Sequence, residues 1–150
     1  MRVVLDTNVL IDGYLDDFNA QAQLIKAVCA GKLTALATPP TVREYRLILR
    51  RRIDNEQYHQ QIAEFIAATE AVEPALVDIT IDDEDDYKFV AAAVGGQADL
   101  LVTQDHHLLQ LGEVAGVALV TPQEAWIKFQ EETGSTSGWQ EWIRGLGIRR

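Results

Sequence analysis

The sequence predicts an α/β domain built on a parallel sheet of about five strands. Three observations predict it. Short, β-branched apolar runs alternate with stretches of helical periodicity along most of the chain. Runs such as Val3-Val4-Leu5 are continuous rather than alternating, as in strands buried on both faces. Acidic residues recur just past those runs, on the edge where open α/β sheets form their sites.

Val3 to Leu5 is the first strand and ends in Asp6-Thr7-Asn8. A helix is expected over Val9 to Tyr14, capped by Thr7 or Asn8. After the turn Asp16-Asp17-Phe18-Asn19, Ala20 to Ala30 has helical periodicity and stops at Gly31. Leu33 to Ala37 is the second strand, and Thr38-Pro39-Pro40-Thr41 opens a third helix. That helix carries Val42, Tyr45, Ile48 and Leu49 on one side, together with Glu44 and five of the thirteen basic residues. A fourth helix, capped by Asp54 or Asn55, runs through Ile62 and Phe65 to near Val72, forming a helical arm with the third.

Ala75 to Ile81 alternates weakly and is expected as the third strand. The acid run Asp82 to Asp86 leads into a helix over Tyr87 to Val94, stopped by Gly95-Gly96. Asp99 to Thr103 and Val117 to Val120 are the fourth and fifth strands, with one or two helical turns at His106 to Leu111 between them. Thr121-Pro122 caps a last helix, Gln123 to Glu132. Such alternation implies βαβ units with right-handed crossovers. The domain is expected over residues 1–132. Residues 133–150 read as a flexible linker and a tail with Trp139, Trp142, Ile143 and Leu146 at roughly helical spacing.

One hundred and fifty residues, 47% hydrophobic and 24% charged, suit a globular domain with a real core. No apolar run approaches the ~20 residues of a membrane span, so no membrane association is expected. No signal peptide is read at the start, and Cys29 is the only cysteine. That leaves no internal disulfide or thiolate zinc site and suits a reducing cytoplasm. The net charge of −10 disfavours non-specific nucleic-acid binding, unless the acids gather around metal cations or a basic partner covers them.

Asp6, Glu44, Asp86 and Asp105 each belong to a junction between a strand and the following helix, all on one sheet edge. Four converging carboxylates repel one another unless cations hold them, and hard oxygen ligands point to Mg²⁺ or Mn²⁺. Carboxylate-bound metals recurrently serve phosphoester hydrolysis. Asp6 alone would read as a helix cap. Glu44 has no cation at i+4 to pair with, which favours a ligand role. Asp85 competes with Asp86 as the third ligand, and Asp99 reads as structural. His106 and His107 flank the site and read as surface residues rather than catalysts. Arg43, Arg46 and Arg50 share a helical face, suited either to phosphate contacts beside the metals or to an acidic partner segment.

Leu5-Asp6-Thr7-Asn8, Glu44, Asp85-Asp86-Tyr87-Lys88-Phe89 and Ala98-Asp99-Leu100-Leu101-Val102-Thr103-Gln104-Asp105 together resemble the PIN-domain nucleases. Asp86 precedes Asp99 by thirteen residues and Asp105 by nineteen, as in that family. The resemblance spans residues 2 to about 128, and it is the ordered set of motifs that is specific. It implies a three-layer α/β/α fold and a divalent-metal-dependent endoribonuclease acting on single-stranded RNA. It further implies a VapC-like toxin with an antitoxin partner, and a homodimer. In that family the four acids ligate metal, the Thr7 and Asn8 positions organise the first acid, and the Thr103 hydroxyl sits in the same pocket. Gln104, Tyr87 and His106-His107 depart from the usual pattern without removing a ligand. The alternative reading is a catalytically silent PIN-like module that binds RNA or protein. A phospho-acceptor receiver-like domain ranks low, because no lysine follows the last strand before Lys128.

Overall fold

The structure is a computed structural model and describes residues 1–81 and 83–134. Its centre is a six-stranded sheet with strands β1 (Arg2–Leu5), β2 (Thr34–Ala37), β3 (Glu70–Ala71), β4 (Leu100–Val102), β5 (Glu113–Val114) and β6 (Val117–Val120). The spatial order is β3-β2-β1-β4-β6-β5. All neighbours are parallel except β5 and β6, which form an antiparallel hairpin at one edge. Val3, Val4 and Leu5 are fully buried, so the central strand is covered on both faces.

Among the described residues seven helices surround the sheet: α1 (Thr7–Asp12), α2 (Ala20–Cys29), α3 (Pro39–Arg52), α4 (Glu56–Ala68), α5 (Glu84–Gly95), α6 (His106–Leu109) and α7 (Pro122–Glu132). Local chemistry fixes most of their starts. The Asn19 and Asn55 side chains accept from Ala22 N and Tyr58 N. Thr38 with Thr41, and Thr121 with Glu124, form capping boxes ahead of α3 and α7, each with proline in the first turn. α5 packs against β1, β2 and β4, α4 against β2, and α7 against β4, while α2 bridges α4 and α7. Among the described residues no helix is long and apolar enough to cross a membrane.

The expected architecture holds, with corrections to its elements. Ala75 to Ile81 is not a strand. The third strand is instead the two-residue β3, which pairs with β2 directly after α4. The following segment runs along α5: Ala75 N–H donates to Ala91 O, and Val77 N–H donates to the Tyr87 hydroxyl. Weak alternation did not outweigh a helix surface with glycines at its end. A Cβ on Gly95 would stand 1.9 Å from Glu73 O, so only glycine lets the chain cross there. α5 starts three residues earlier than expected, because Asp83 caps it and carboxylates suit a helix N-terminus. α1 is headed by Asp6 rather than by Thr7 or Asn8. The β5–β6 hairpin was unforeseen; its turn uses Ala115 and Gly116, both at positive φ. α7 ends at Glu132, while Asp82 and the tail's Trp139, Trp142, Ile143 and Leu146 lie outside the described residues.

Candidate active site

The chain leaves β1 toward β2 on one side and returns on the other side to β4. The strand order therefore reverses between β1 and β4, and a crevice opens past their carboxyl ends. Asp6 follows β1 and is tied to β4 by its N–H, which donates to Val102 O at 2.9 Å. Its carboxylate is buried and makes no cap hydrogen bond to α1. Instead Oδ2 accepts from the Thr103 hydroxyl at 2.9 Å. The cap position thus carries a carboxylate aimed across the crevice.

Thr103 is fully buried and does two things. Its Oγ1 donates to Asp6 and accepts from Asp105 N–H at 3.1 Å. Asp105 in turn heads α6, with Oδ1 accepting from His107 N–H. Asp86 lies on the first turn of α5, and its carboxyl is near enough to that of Asp105 to be raised by it. Beneath them the Tyr45 hydroxyl donates to Leu5 O and closes the floor of the crevice.

The electrostatics are those of crowded acids. Burial pushes the Asp6 carboxyl up to about 6, and the neighbouring Glu44 and Asp105 carboxylates add to that. Asp86 is pushed up to about 7, by burial and then by the facing Asp105 and Asp6. Glu44 differs from the other three. Its Oε2 accepts from the Thr7 hydroxyl, and its Oε1 pairs with Lys88 Nζ at 3.0 Å. Helical spacing correctly excluded a cation from its own helix; the cation comes from α5. The same ammonium reaches Asp85 Oδ1 at 3.3 Å, so Asp85 is exposed and turned to Lys88, while Asp86 turns inward.

Hard carboxylate oxygens, with no thiolate among them, match Mg²⁺ or Mn²⁺ in chemistry. As the side chains lie, no three His, Cys, Asp or Glu groups among the described residues stand close enough to share one ion. To hold one ion together, the Asp6, Asp86 and Asp105 carboxylates would have to move toward one another.

Other expected residues fall elsewhere. The Thr7 hydroxyl donates to Glu44 while its backbone N–H faces the Asp6 carboxylate, and Asn8 is exposed. His106 and His107 are exposed on α6. Arg43, Arg46 and Arg50 lie roughly 100–160° around α3 from Glu44. Arg46 and Arg50 line a groove of about 310 Å³ between α3 and α4 with Leu49, His59 and Ile62, away from the carboxylates. Asp99 is structural, accepting from Arg2 N–H at 2.8 Å. Sequence reasoning missed Lys88, although it is the first basic residue after the acid run and stands three residues past Asp85. It also missed a side-chain relay beside the crevice, in which Gln21 donates to Gln104 and Gln104 to Asp12.

Thr103→Val strips a partner from both Asp6 and Asp105 N–H while keeping the shape. The variant should lose about 1–3 kcal/mol in urea unfolding, the cost of orphaned buried polar groups. Unchanged stability would mean that the hydroxyl does not organise the crevice.

A PIN domain family model matches residues 2–107. No curated protein matches the sequence. Among solved structures, VapBC2 from Rickettsia felis bound to a DNA fragment from their promoter superposes with a TM-score of 0.57 at 14% identity. That match covers 79% of this chain and 97% of the other. PAE2754 from Pyrobaculum aerophilum gives 0.57 at 18% identity, covering 87% and 90%. At such identities the structural likeness concerns the fold.

Proposed function

The chain belongs to the PIN domain family, and from that premise we propose that it is a divalent-metal-dependent endoribonuclease hydrolysing phosphodiester bonds of single-stranded RNA. The observation that carries this reading is the placement of Asp6 and Asp105 on one buried threonine, Thr103, at the ends of β1 and β4, with the Asp86 carboxyl raised by both of those acids. Two of those carboxyls are held above the ordinary range by burial and crowding, a state that a bound cation relieves.

Asp6, Asp86 and Asp105 would hold Mg²⁺ or Mn²⁺, with Glu44 at the edge of the set. A metal held there would supply an activated water and charge neutralisation at the phosphate oxygens. The protein's own part is positional. Thr103 fixes the Asp6 carboxylate, and its bond to Asp105 N–H sets the α6 end at a fixed distance from β1. Tyr45 anchors the strand end that carries Asp6. The inward turn of Asp86 favours it over Asp85 as the third ligand.

In this reading the protein is the cytoplasmic toxin of a toxin–antitoxin pair. The likeness to the VapBC2 structure supports an antitoxin partner. Arg46 and Arg50, in the α3–α4 groove turned away from the acids, and Arg43 beside them on the same helical face, would meet an acidic segment of that partner more readily than substrate. Homodimer formation belongs to the same proposal, and the exposed Leu15 and Phe18 between α1 and α2 offer apolar surface for it.

The test is cleavage of single-stranded RNA by the purified chain with Mn²⁺, with EDTA, and with Mn²⁺ restored. Cutting that needs metal and leaves 5′-phosphate ends is expected. Cutting that persists in EDTA would overturn the metal-dependent reading.

A further inference from the structure

The side-chain relay beside the crevice ends in a buried acceptor that nothing satisfies. Gln104 follows Thr103 past the end of β4, and its Nε2 donates to Asp12 Oδ2 at 2.6 Å. Its Oε1 accepts from Gln21 Nε2 at 2.7 Å. The direction of the relay is set from the Asp12 end. A carboxylate only accepts, so Gln104 turns its amide nitrogen to Asp12 and its oxygen to Gln21. Gln21 must then offer nitrogen, and its own Oε1 is left without a partner among the described residues. Gln21 is 8% exposed, so water does not replace that partner from the surface. An orphaned buried acceptor weakens a fold. What the arrangement secures is one fixed orientation for the Gln104 amide, which is itself only half-buried.

We propose that Gln104 reads a nucleobase of the bound RNA, with Gln21 and Asp12 as the positioning residues that aim its amide. The inference rests on the single-stranded RNA reading above and names what that site selects. A glutamine amide has two N–H donors and an oxygen with two lone pairs. The relay uses one donor and one lone pair, so one of each is left on a half-exposed side chain. A donor beside an acceptor matches a base edge, which is how amide side chains read adenine. Asp12 sharpens the choice. It is half-buried, and among the described residues it makes no ion pair and only its Oδ2 accepts a hydrogen bond. An unpaired carboxylate repels phosphate but accepts from an amino group. This corner therefore suits a base with an exocyclic amino group, as in adenine, and disfavours uracil, which has none.

The experiment is binding of three fluorescent RNA decamers to the full chain in EDTA, which keeps the RNA whole. One carries adenosine, one purine riboside (adenosine without its amino group) and one uridine. Wild type should bind the adenosine strand on the order of 10-fold more tightly than either of the others. Gln104→Leu and Gln21→Met should each bring the three affinities together. In urea unfolding Gln21→Met should be at least as stable as wild type, because an orphaned acceptor leaves the interior. A relay that only held the fold together would give the reverse, a less stable Gln21→Met with its base preference intact, and that result would overturn the inference. Equal binding of adenosine and purine riboside by wild type would overturn it too. If Gln21→Met fails to fold, the wild-type and Gln104→Leu affinities decide. Wild type that binds none of the strands would remove the RNA reading and this inference with it, a different result from binding all three alike.

Discussion

Asp6→Asn should lower RNA cleavage by on the order of 10³-fold, because a ligand central to the crevice is lost and metal stabilisation of the transition state is worth several kcal/mol. The fold should survive. The amide oxygen of Asn can still accept from the Thr103 hydroxyl, and the side-chain volume is unchanged. Loss of cleavage with loss of folding would be uninformative for most residues, but this variant is expected to be more stable than wild type when metal is absent. Burial holds the Asp6 carboxyl near 6 against an ordinary 3.8. A carboxyl raised in this way supports the fold fully below pH 3.8, and that support is lost as the pH rises to about 6. The two proteins should therefore unfold alike near pH 3.8. They should then diverge up to pH 6 and run parallel above it, with the variant ahead by on the order of 2–3 kcal/mol. Mn²⁺ should close that gap at a hundred times the Kd, where wild type alone gains about 2.7 kcal/mol, and reverse the order at a thousand times the Kd, where the gain is about 4.1 kcal/mol. Urea unfolding across pH, with and without Mn²⁺, checks all of this. A variant less stable than apo wild type at pH 7 would contradict the crowded-acid description.

Gly95→Ala should destabilise the protein by about 2–4 kcal/mol, as an overpacking substitution against backbone. The sign is the informative part. Alanine in place of a helical glycine ordinarily gains up to about 1 kcal/mol. Here the added Cβ would meet Glu73 O at 1.9 Å and Ala75 N at 2.7 Å, and backbone atoms cannot swing aside. The displaced segment leads through Val77, tied to Tyr87, into the start of α5 and hence to Asp86. Cleavage should fall alongside stability, by less than in Asp6→Asn. Thermal unfolding of the two proteins side by side measures the first effect. A gain in stability would mean that residues 73–75 do not lie on α5.

These two residues also mark where the sequence was legible and where it was not. Asp6 could be read because a continuous apolar strand ends in it, and strand ends in a parallel sheet share one edge. The same logic located Asp105 just past β4; for Asp86 its premise failed, because the strand expected over residues 75–81 is not there and the residue sits on the first turn of α5. Gly95 was legible only as a helix stop. Its second role, admitting a crossing backbone, depends on residues twenty positions upstream that carry a β-like pattern and settle on a helix instead. Lys88 shows the same limit from the side of charge. Local spacing gave Glu44 no partner on its own helix, and nothing in i,i+4 arithmetic reports an ammonium arriving from another element. The arginine stripe on α3 was read correctly as one helical face, but which face it was depended on how α3 packs against α1 and α5. Two-residue strands such as β3 and β5 carry too little pattern to be recognised in advance.

The most direct measurement of the central claim is titration of Mn²⁺ into the wild-type protein, with cleavage of single-stranded RNA followed in the same samples. Cleavage should rise with the same midpoint as metal binding, and both should vanish together in Asp6→Asn. Cleavage that proceeds at its full rate before any Mn²⁺ is bound would contradict the account. So would saturable Mn²⁺ binding with no cutting of any RNA offered, which would turn the chain into a silent relative whose work is done by the α3–α4 groove.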